Sequence, residues 1–405
     1  MVSSASTLTD SHLQSLRQQF PALANKGYFN YGGQGPLPQS ALEAIYQTHM
    51  TLQTDGPFSG RTNQWIQQAA TAMRQTFADM LQVPAAAITL TEDVTVGCNI
   101  PLWGIDWQAG DRILMTDCEH PGIIAAVQEV SRRFQVAVDV CPLLATAQGG
   151  NPVDVIAAAL QPRTRLLVIS HMLWNTGQLL PLTDIVRLCH DHKPHPIGVL
   201  VDAAQSVGMM PLDLTATGVD FYAFTGHKWC CGPAGLGGLY IKPAVREAIA
   251  PTFIGWRGII IDAQGNPTGW EPSGKRYEVA TSDYPLMAGL QAALHLHQGW
   301  GTATERYQRI CQLSQQLWQQ LQSHPRIRMV TAAPPQSGLV SFQLLEQGVP
   351  SPALHTRLVN DLEADNMLLR ILLHPHCVRA CVHYFTLTSD VTTLGDRILH
   401  WLEQL

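Results

Sequence analysis

Two short polar runs follow apolar stretches at places where a carboxylate and an amine would act together. Asp202 closes the run 197–201 in Asp202-Ala203-Ala204-Gln205-Ser206, and Lys228 follows the run 221–224 in Thr225-Gly226-His227-Lys228-Trp229. Alone, Asp202 reads as a helix N-cap whose oxygen accepts from first-turn amides. Alone, Lys228 reads as an amine that snorkels outward past Phe224 and Trp229. Desolvated, the same amine has a depressed pKa and becomes a nucleophile that forms Schiff bases. Taken together at neighbouring strand ends, the pair fits a pyridoxal 5'-phosphate site. There the lysine takes the aldehyde carbon, and the aspartate keeps the pyridinium nitrogen protonated so that the ring is an electron sink.

The elements that must position this pair come from the patterning between about 85 and 245. Short β-branched runs at 112–116, 136–140, 165–170, 197–201, 221–224 and 238–241 read as strands. Helical periods at 152–160 and 182–192 separate several of them. Strand–helix–strand repetition with nearly continuous apolar strands predicts an α/β fold whose mainly parallel sheet is covered on both faces. Ligands in such sheets sit beyond the carboxyl ends of the strands, where Asp202 and Lys228 stand. The rhythm breaks at 252–284, where Gly255-Trp256-Arg257-Gly258 and Gly265-Asn266-Pro267 predict a long functional loop. Helical periods return at 286–300 and 306–322, followed by strands at 338–344 and 378–385 and a terminal helix at 391–405. The expected division is a large domain over 26–284 and a smaller α+β domain made of 1–25 and 285–405.

Composition narrows the function classes. The 405 residues include 25 Lys+Arg against 31 Asp+Glu, a formal net charge of −6, with 46% hydrophobic and 14% charged residues. Disorder is excluded, and no basic stripe marks a nucleic-acid or acidic-membrane binder. No run of 18 apolar residues occurs, and residues 1–10 lack the basic flank and apolar core of a leader. Nine cysteines without a CxxC fit a reducing compartment, so a cytoplasmic location is expected. The scarcity of charge leaves apolar surface for a second subunit to cover.

Four segments in order along the chain resemble the class V aminotransferase group of fold-type-I pyridoxal phosphate enzymes, which includes cysteine desulfurases. They are Tyr28-Phe29-Asn30-Tyr31-Gly32-Gly33-Gln34-Gly35-Pro36-Leu37-Pro38, Glu119-His120-Pro121, Asp202 to Ser206, and Gly226-His227-Lys228. The resemblance implies the fold-type-I architecture, with a seven-stranded type of sheet in the large domain. It implies that His120 stacks on the cofactor ring and that Gln205 and Asn175 meet the pyridine 3'-oxygen; each would otherwise pass as a loop residue. It gives the phosphate to Thr95 and Val96 at a helix N-terminus, together with Thr225 and His227. It further implies that Thr281 reaches the phosphate from a partner subunit, so that a homodimer with its active site at the subunit interface is the catalytic unit. The stretch Gly232-Pro233-Ala234-Gly235 reads instead as a plain turn.

Substrate residues follow from the same likeness. Arg379 resembles the arginine that takes an amino acid's α-carboxylate, for which a guanidinium fork is suited. Asn30, Gly33 and Gln34 belong to the substrate loop. A cysteine desulfurase needs a nucleophilic cysteine on a mobile loop, but only eight residues separate Arg370 from Arg379. Cys377 therefore reads as a small semi-buried hydrophobe. The pattern is closest to the cysteine/cystine C–S lyase branch, with Asn30 to Gly35, Trp174-Asn175-Thr176-Gly177, Gly255-Trp256-Arg257, and Arg370 with Arg379. Arg370 would address the distal carboxylate of cystine and Trp256 would cover the site. The implied reaction is β-elimination to pyruvate, ammonia and persulfide or sulfide, with sulfur passing to an acceptor protein for iron–sulfur cluster assembly. Lys228, His120 and Asp202 are the expected catalytic residues. A desulfurase or selenocysteine lyase that forms alanine, an epimerase, and a non-catalytic binding relative are the alternatives. Cys230 and Cys231 would accept sulfur if they faced the cofactor, and no metal site is expected from His374-Pro375-His376-Cys377.

Overall fold

The computed structural model describes residues 10–405. The leader expectation therefore falls largely on residues 1–9, outside the described residues. The α-helices of eight or more residues are α1 (Asp10–Arg17), α2 (Gln39–Asp55), α3 (Gly60–Leu81), α4 (Val94–Gly104), α5 (Pro121–Phe134), α6 (Pro152–Ala159) and α7 (Leu182–His190), then α8 (Pro285–Gln298), α9 (Ala303–Gln322), α10 (Pro352–Ala364) and α11 (Thr388–Glu403). The large sheet contains β1 (Ile88–Thr91), β2 (Arg112–Thr116), β3 (Ala137–Cys141), β4 (Thr164–Ser170), β5 (Gly198–Asp202), β6 (Phe221–Thr225) and β7 (Gly237–Ile241). Its order is β1-β7-β6-β5-β4-β2-β3, and only β7 runs against the others. The expected mainly parallel seven-stranded sheet is thus present. β1 is an addition to the predicted strands, because its four residues are too few to show a period.

The central strands are apolar along their whole length because helices cover both faces. In β4 and β5, Leu166 to Ile169 and Val199 to Val201 are fully buried. One layer of core packs Phe77, Leu114, Leu167, Val199 and Phe224 with α3 and α7. The other layer packs Cys98, Ile113, Val127, Val168 and Leu200 with α4 and α5. Successive side chains of a strand point to opposite faces, so each strand feeds both cores.

Residues 252–284 are more than a loop. Ile259–Ile261 (β8) and Pro267–Trp270 (β9) form an antiparallel hairpin, closed by Asp262, whose Oδ1 accepts from the amides of Gln264 and Asn266. Both strands are largely exposed, which removed the alternation that would have marked them.

The second unit has the antiparallel sheet β10 (Ile327–Met329), β11 (Leu339–Glu346), β13 (His376–Cys381) and β12 (Arg370–Leu373), adjacent in that order. The strand expected at 378–385 leaves the sheet at Cys381. Packing cuts the chain differently from the boundaries expected at 26 and 285. Met287, Leu290 and Leu294 of α8 lie in the large sheet's core, whereas Phe29 lies in the small sheet's core. Gly27 and Tyr28 also pair in parallel with Met367 and Leu368.

Candidate active site

Five strand exits converge on one cavity. β1 leads to Asp93 and α4, β2 to Glu119 and His120, β4 ends at Ser170, β5 ends at Asp202, and β6 leads to Lys228. This is the carboxyl edge at which ligands of such sheets bind. Lys228, Asp202, His120, Gln205, Thr95 and His227 line the cavity together, as do Gly33, Arg370 and Arg379 from the substrate-side expectations.

Local chemistry explains each placement. Asp93 is the N-cap of α4, its Oδ1 accepting from the Val96 amide at 2.9 Å, which sets Thr95 in the first turn. His120 is the N-cap of α5, its Nδ1 accepting from Gly122 at 3.2 Å ahead of Pro121 at the first helical position. That bond leaves the ring proton on Nε2, and the ring meets Trp174 edge-on at 5.5 Å. Asp202 does keep part of its cap-like role, since Oδ1 accepts from Ala204 at 2.9 Å, yet it also faces the cavity. Gln205 donates to the Gly32 carbonyl at 2.9 Å and accepts from Trp229 Nε1 at 2.8 Å. Thr225 Oγ1 and His227 Nδ1 lie 2.5 Å apart.

Charges in the cavity are tuned by burial. Desolvation pushes the Lys228 pKa down to about 8, against the attraction of Asp202, with Arg379 and Arg370 pushing the same way as burial. The amine is therefore far more available than an ordinary lysine at neutral pH. Burial also lowers His120, assisted by the positive charge of Lys228. Glu119 is raised to about 7 by burial, although Thr116 and Ser170 both donate to its carboxylate.

The two arginines stand directly opposite each other across β12 and β13. Like charges so placed repel unless an anion lies between them. Arg379 is 1% exposed, and its recorded partners are neutral oxygens, the Trp174 carbonyl at 2.7 Å and Asn30 Oδ1 at 3.4 Å. Its Nε is buried with no partner. A buried cation without a counter-ion is costly, and a bound carboxylate is the group that fits.

Several expected residues lie elsewhere. The Val96 amide is engaged by Asp93, and its side chain lines a separate groove that also contains Thr281. Trp256 is 60% exposed and lies with Thr281 and Phe58 in a further groove. Within one chain, neither Trp256 nor Thr281 joins Lys228. Asn175 turns toward the β12–β13 hairpin, donating to His374 O at 3.0 Å, while its Oδ1 is buried without a partner. Gln34 is exposed, held through its backbone alone: its amide donates to Asn30 O at 3.1 Å and its carbonyl accepts from the Tyr28 hydroxyl at 2.5 Å. Cys377 is fully buried beside Leu372 and Val330, and its thiol is pushed up to about 12. Cys230 and Cys231 are equally buried, so neither presents a thiol to the cavity. The bland reading of Gly232 to Gly235 holds: the segment joins Lys228 to β7. Among the described residues no cluster of metal-binding side chains occurs. Ser170 and Asp93 line the cavity without having been singled out; each is a type that also serves ordinary caps and turns. Trp174, quoted above only as part of a motif, lines it as well.

The donor set suits pyridoxal phosphate. A helix N-terminus with Thr95, His227 paired with Thr225, a carboxylate at Asp202, a depressed lysine and the arginine with an orphaned N–H meet at one cavity.

A family model described as aminotransferase class-V matches residues 28–365. The structure is similar to that of the cystine C–S lyase C-DES in complex with its reaction product cysteine persulfide. The two share 51% identity at a TM-score of 0.90, covering 94% of this chain and 98% of the other. A lysine-to-alanine variant of C-DES with glycine covalently linked to the PLP cofactor gives a TM-score of 0.91. A cysteine desulfurase of Klebsiella pneumoniae (strain 342) is 34% identical over 55% of this chain and 54% of its own length. An isopenicillin N epimerase of Streptomyces clavuligerus is 30% identical over 56% of each. The chain thus spans little more than half the length of these two curated relatives.

Proposed function

The chain belongs to the class-V aminotransferase family, with the fold-type-I pyridoxal phosphate architecture, and from that premise we propose that it is a carbon–sulfur lyase acting on cystine, with cysteine as a smaller alternative. The net reaction is cystine plus water giving pyruvate, ammonia and cysteine persulfide. The observation that carries the reading is the pairing of a low-pKa Lys228 with opposed Arg370 and Arg379 in a cavity that no cysteine lines.

Lys228, Asp202, Gln205, His120, Thr95 and His227 would hold pyridoxal phosphate, which when bound would supply a cationic ring able to take up the electron pair released at the substrate Cα. Arg379 binds the α-carboxylate and fixes the Cα–H bond toward Lys228. Arg370, on the adjacent strand, takes the distal carboxylate of cystine. The neutral Lys228 amine removes the Cα proton, because its lowered pKa keeps a substantial fraction unprotonated near neutrality. The persulfide leaves from Cβ in preference to a plain thiolate, since the second sulfur spreads the charge. Nothing in the cavity competes for the leaving sulfur as a protein nucleophile would.

The comparison with C-DES supports this reading over desulfuration, and the burial of Cys377, Cys230 and Cys231 adds to it. The released persulfide is the form in which sulfur reaches an acceptor protein for iron–sulfur cluster assembly. Trp256 and Thr281 complete the site from the partner subunit in a homodimer. The test is anaerobic incubation of the purified protein with cystine. Pyruvate and cysteine persulfide in equal amounts are expected; alanine as the product, or an unchanged substrate, would sink the proposal.

A further inference from the structure

Behind Lys228 lies a buried wall of rings, two of whose imidazoles meet the backbone just beyond the amine. His383 and His297 are 0% and 5% exposed. His383 Nε2 lies 3.0 Å from the Trp229 carbonyl, and His297 Nε2 lies 3.0 Å from the Cys230 carbonyl. A carbonyl only accepts, so both Nε2 atoms carry the proton. The Tyr384 hydroxyl donates to His297 Nδ1 at 2.9 Å, which fixes that tautomer. The rings are layered, His383 on Trp229 and on His297, each at 5.6 Å.

The connections run onward in both directions. Trp229 Nε1 donates to Gln205, and Gln205 donates to the Gly32 carbonyl in the N-terminal loop. His383 follows Arg379 by four residues on the chain that leaves β13, so it joins the strand of the carboxylate-binding arginine to the segment of the amine. His383 Nδ1 is buried with no partner, and Arg306 is the cation facing both histidines. A second proton has no acceptor there, and both rings stay neutral through the physiological range.

We infer that His383 and His297 are positioning residues that clamp the two peptide units after Lys228, and that His383 sets the spacing between the amine and Arg379. The inference rests on Lys228 being the reactive amine of the proposed function, and it does not depend on the substrate being cystine. The titratable and charged groups facing Lys228 are Asp202, Arg379, Arg370, Cys381, His120 and His227. The clamp matters because reacting groups displaced by about 1 Å lose on the order of a hundredfold in rate.

The experiment compares His383→Leu, His383→Gln and Tyr384→Phe in the full-length protein. After cofactor removal with hydroxylamine, competitive acetylation of Lys228 is followed against pH by mass spectrometry; the holoprotein is assayed in parallel for kcat and KM. The wild-type midpoint is expected near pH 8. His383→Leu should let water reach the amine and raise the midpoint by about one unit. Its kcat should fall by tenfold or more, on the order of what misplacement costs, with KM little changed. Glutamine, which can return an N–H to the Trp229 carbonyl, should restore both. A folded leucine variant whose midpoint and kcat match wild type would overturn the inference. Should leucine prevent folding, Tyr384→Phe carries the test at nearly constant volume: a shifted midpoint supports the clamp, and an unshifted one refutes it. Absence of pyruvate alongside a shifted midpoint would remove the cystine reading and leave the clamp standing.

Discussion

Glu119 and Lys228 are titratable groups displaced by the same cause in opposite electrostatic senses. Burial raises Glu119 from 4.5 to about 7, so between those values the folded chain binds more protons than the unfolded one. Its stabilising contribution is complete below the unfolded pKa and is lost as pH climbs through about 7. Glu119→Gln should flatten that decline and leave the variant about 2 kcal/mol more stable than wild type at pH 8. Urea unfolding at a series of pH values checks this, and parallel curves for the two proteins would contradict the burial account. For Lys228 the folded value of about 8 lies below the unfolded 10.5, so the unfolded chain binds more protons in that window. Stability of the cofactor-free protein should rise with pH across it, and Lys228→Met should remove the rise.

At the scale of elements, the β12–β13 hairpin and the loop carrying Asn30 to Gly35 set the substrate side. The hairpin holds two guanidinium groups opposite each other, a local cost that a bound carboxylate relieves. Arg370→Ala is expected to stabilise the cofactor-free fold by about 0.5 kcal/mol. The same change should raise KM for cystine by about tenfold or more, and that for cysteine much less. Denaturant unfolding and steady-state kinetics on both substrates separate these effects. The loop is stitched to the lysine segment by the Gly35 amide donating to His227 O at 2.8 Å. A Cβ at Gly35 would lie 2.1 Å from the Lys228 carbonyl oxygen, far inside contact. Gly35→Ala must therefore shift the Lys228 segment, and a loss of about a hundredfold in kcat is expected. An alanine variant with native kcat would show that the loop yields instead.

For the whole molecule, the exposed apolar side chains stand out. Leu42, Tyr46 and Met50 repeat every four residues on the exposed side of α2, and Phe58, Phe253, Ile254 and Trp256 are also exposed. Large apolar side chains left exposed in this number are what a protein interface would cover. For the proposed homodimer, a particle of twice the 44.4 kDa chain mass is expected in analytical ultracentrifugation, and Tyr46→Glu combined with Trp256→Glu should convert it into monomer. Activity should fall with dimer content if Thr281 completes a neighbouring site. No helix among the described residues is long and apolar enough to cross a membrane. Arg74 and Arg257 both bind the buried Glu278 carboxylate, at 2.6 and 2.7 Å. This network ties α3 to the segment that carries Thr281.

The α/β class, the cofactor and the Asp202–Lys228 pair were legible in the chain because each is written locally. Apolar strands covered on both faces look different from surface elements, and a strand's carboxyl end is known once the strand is. The four ordered motifs carried the family, and the short spacing from Arg370 to Arg379 already left little room for a catalytic cysteine loop. Tertiary structure decided what depends on residues far apart in sequence. It showed that Arg370 and Arg379 are cross-strand partners, that Val96 gives its amide to Asp93, and that the 252–284 excursion contains a hairpin. It alone placed His297 and His383 behind residues 229 and 230, since long-range packing fixes which carbonyl a distant imidazole meets.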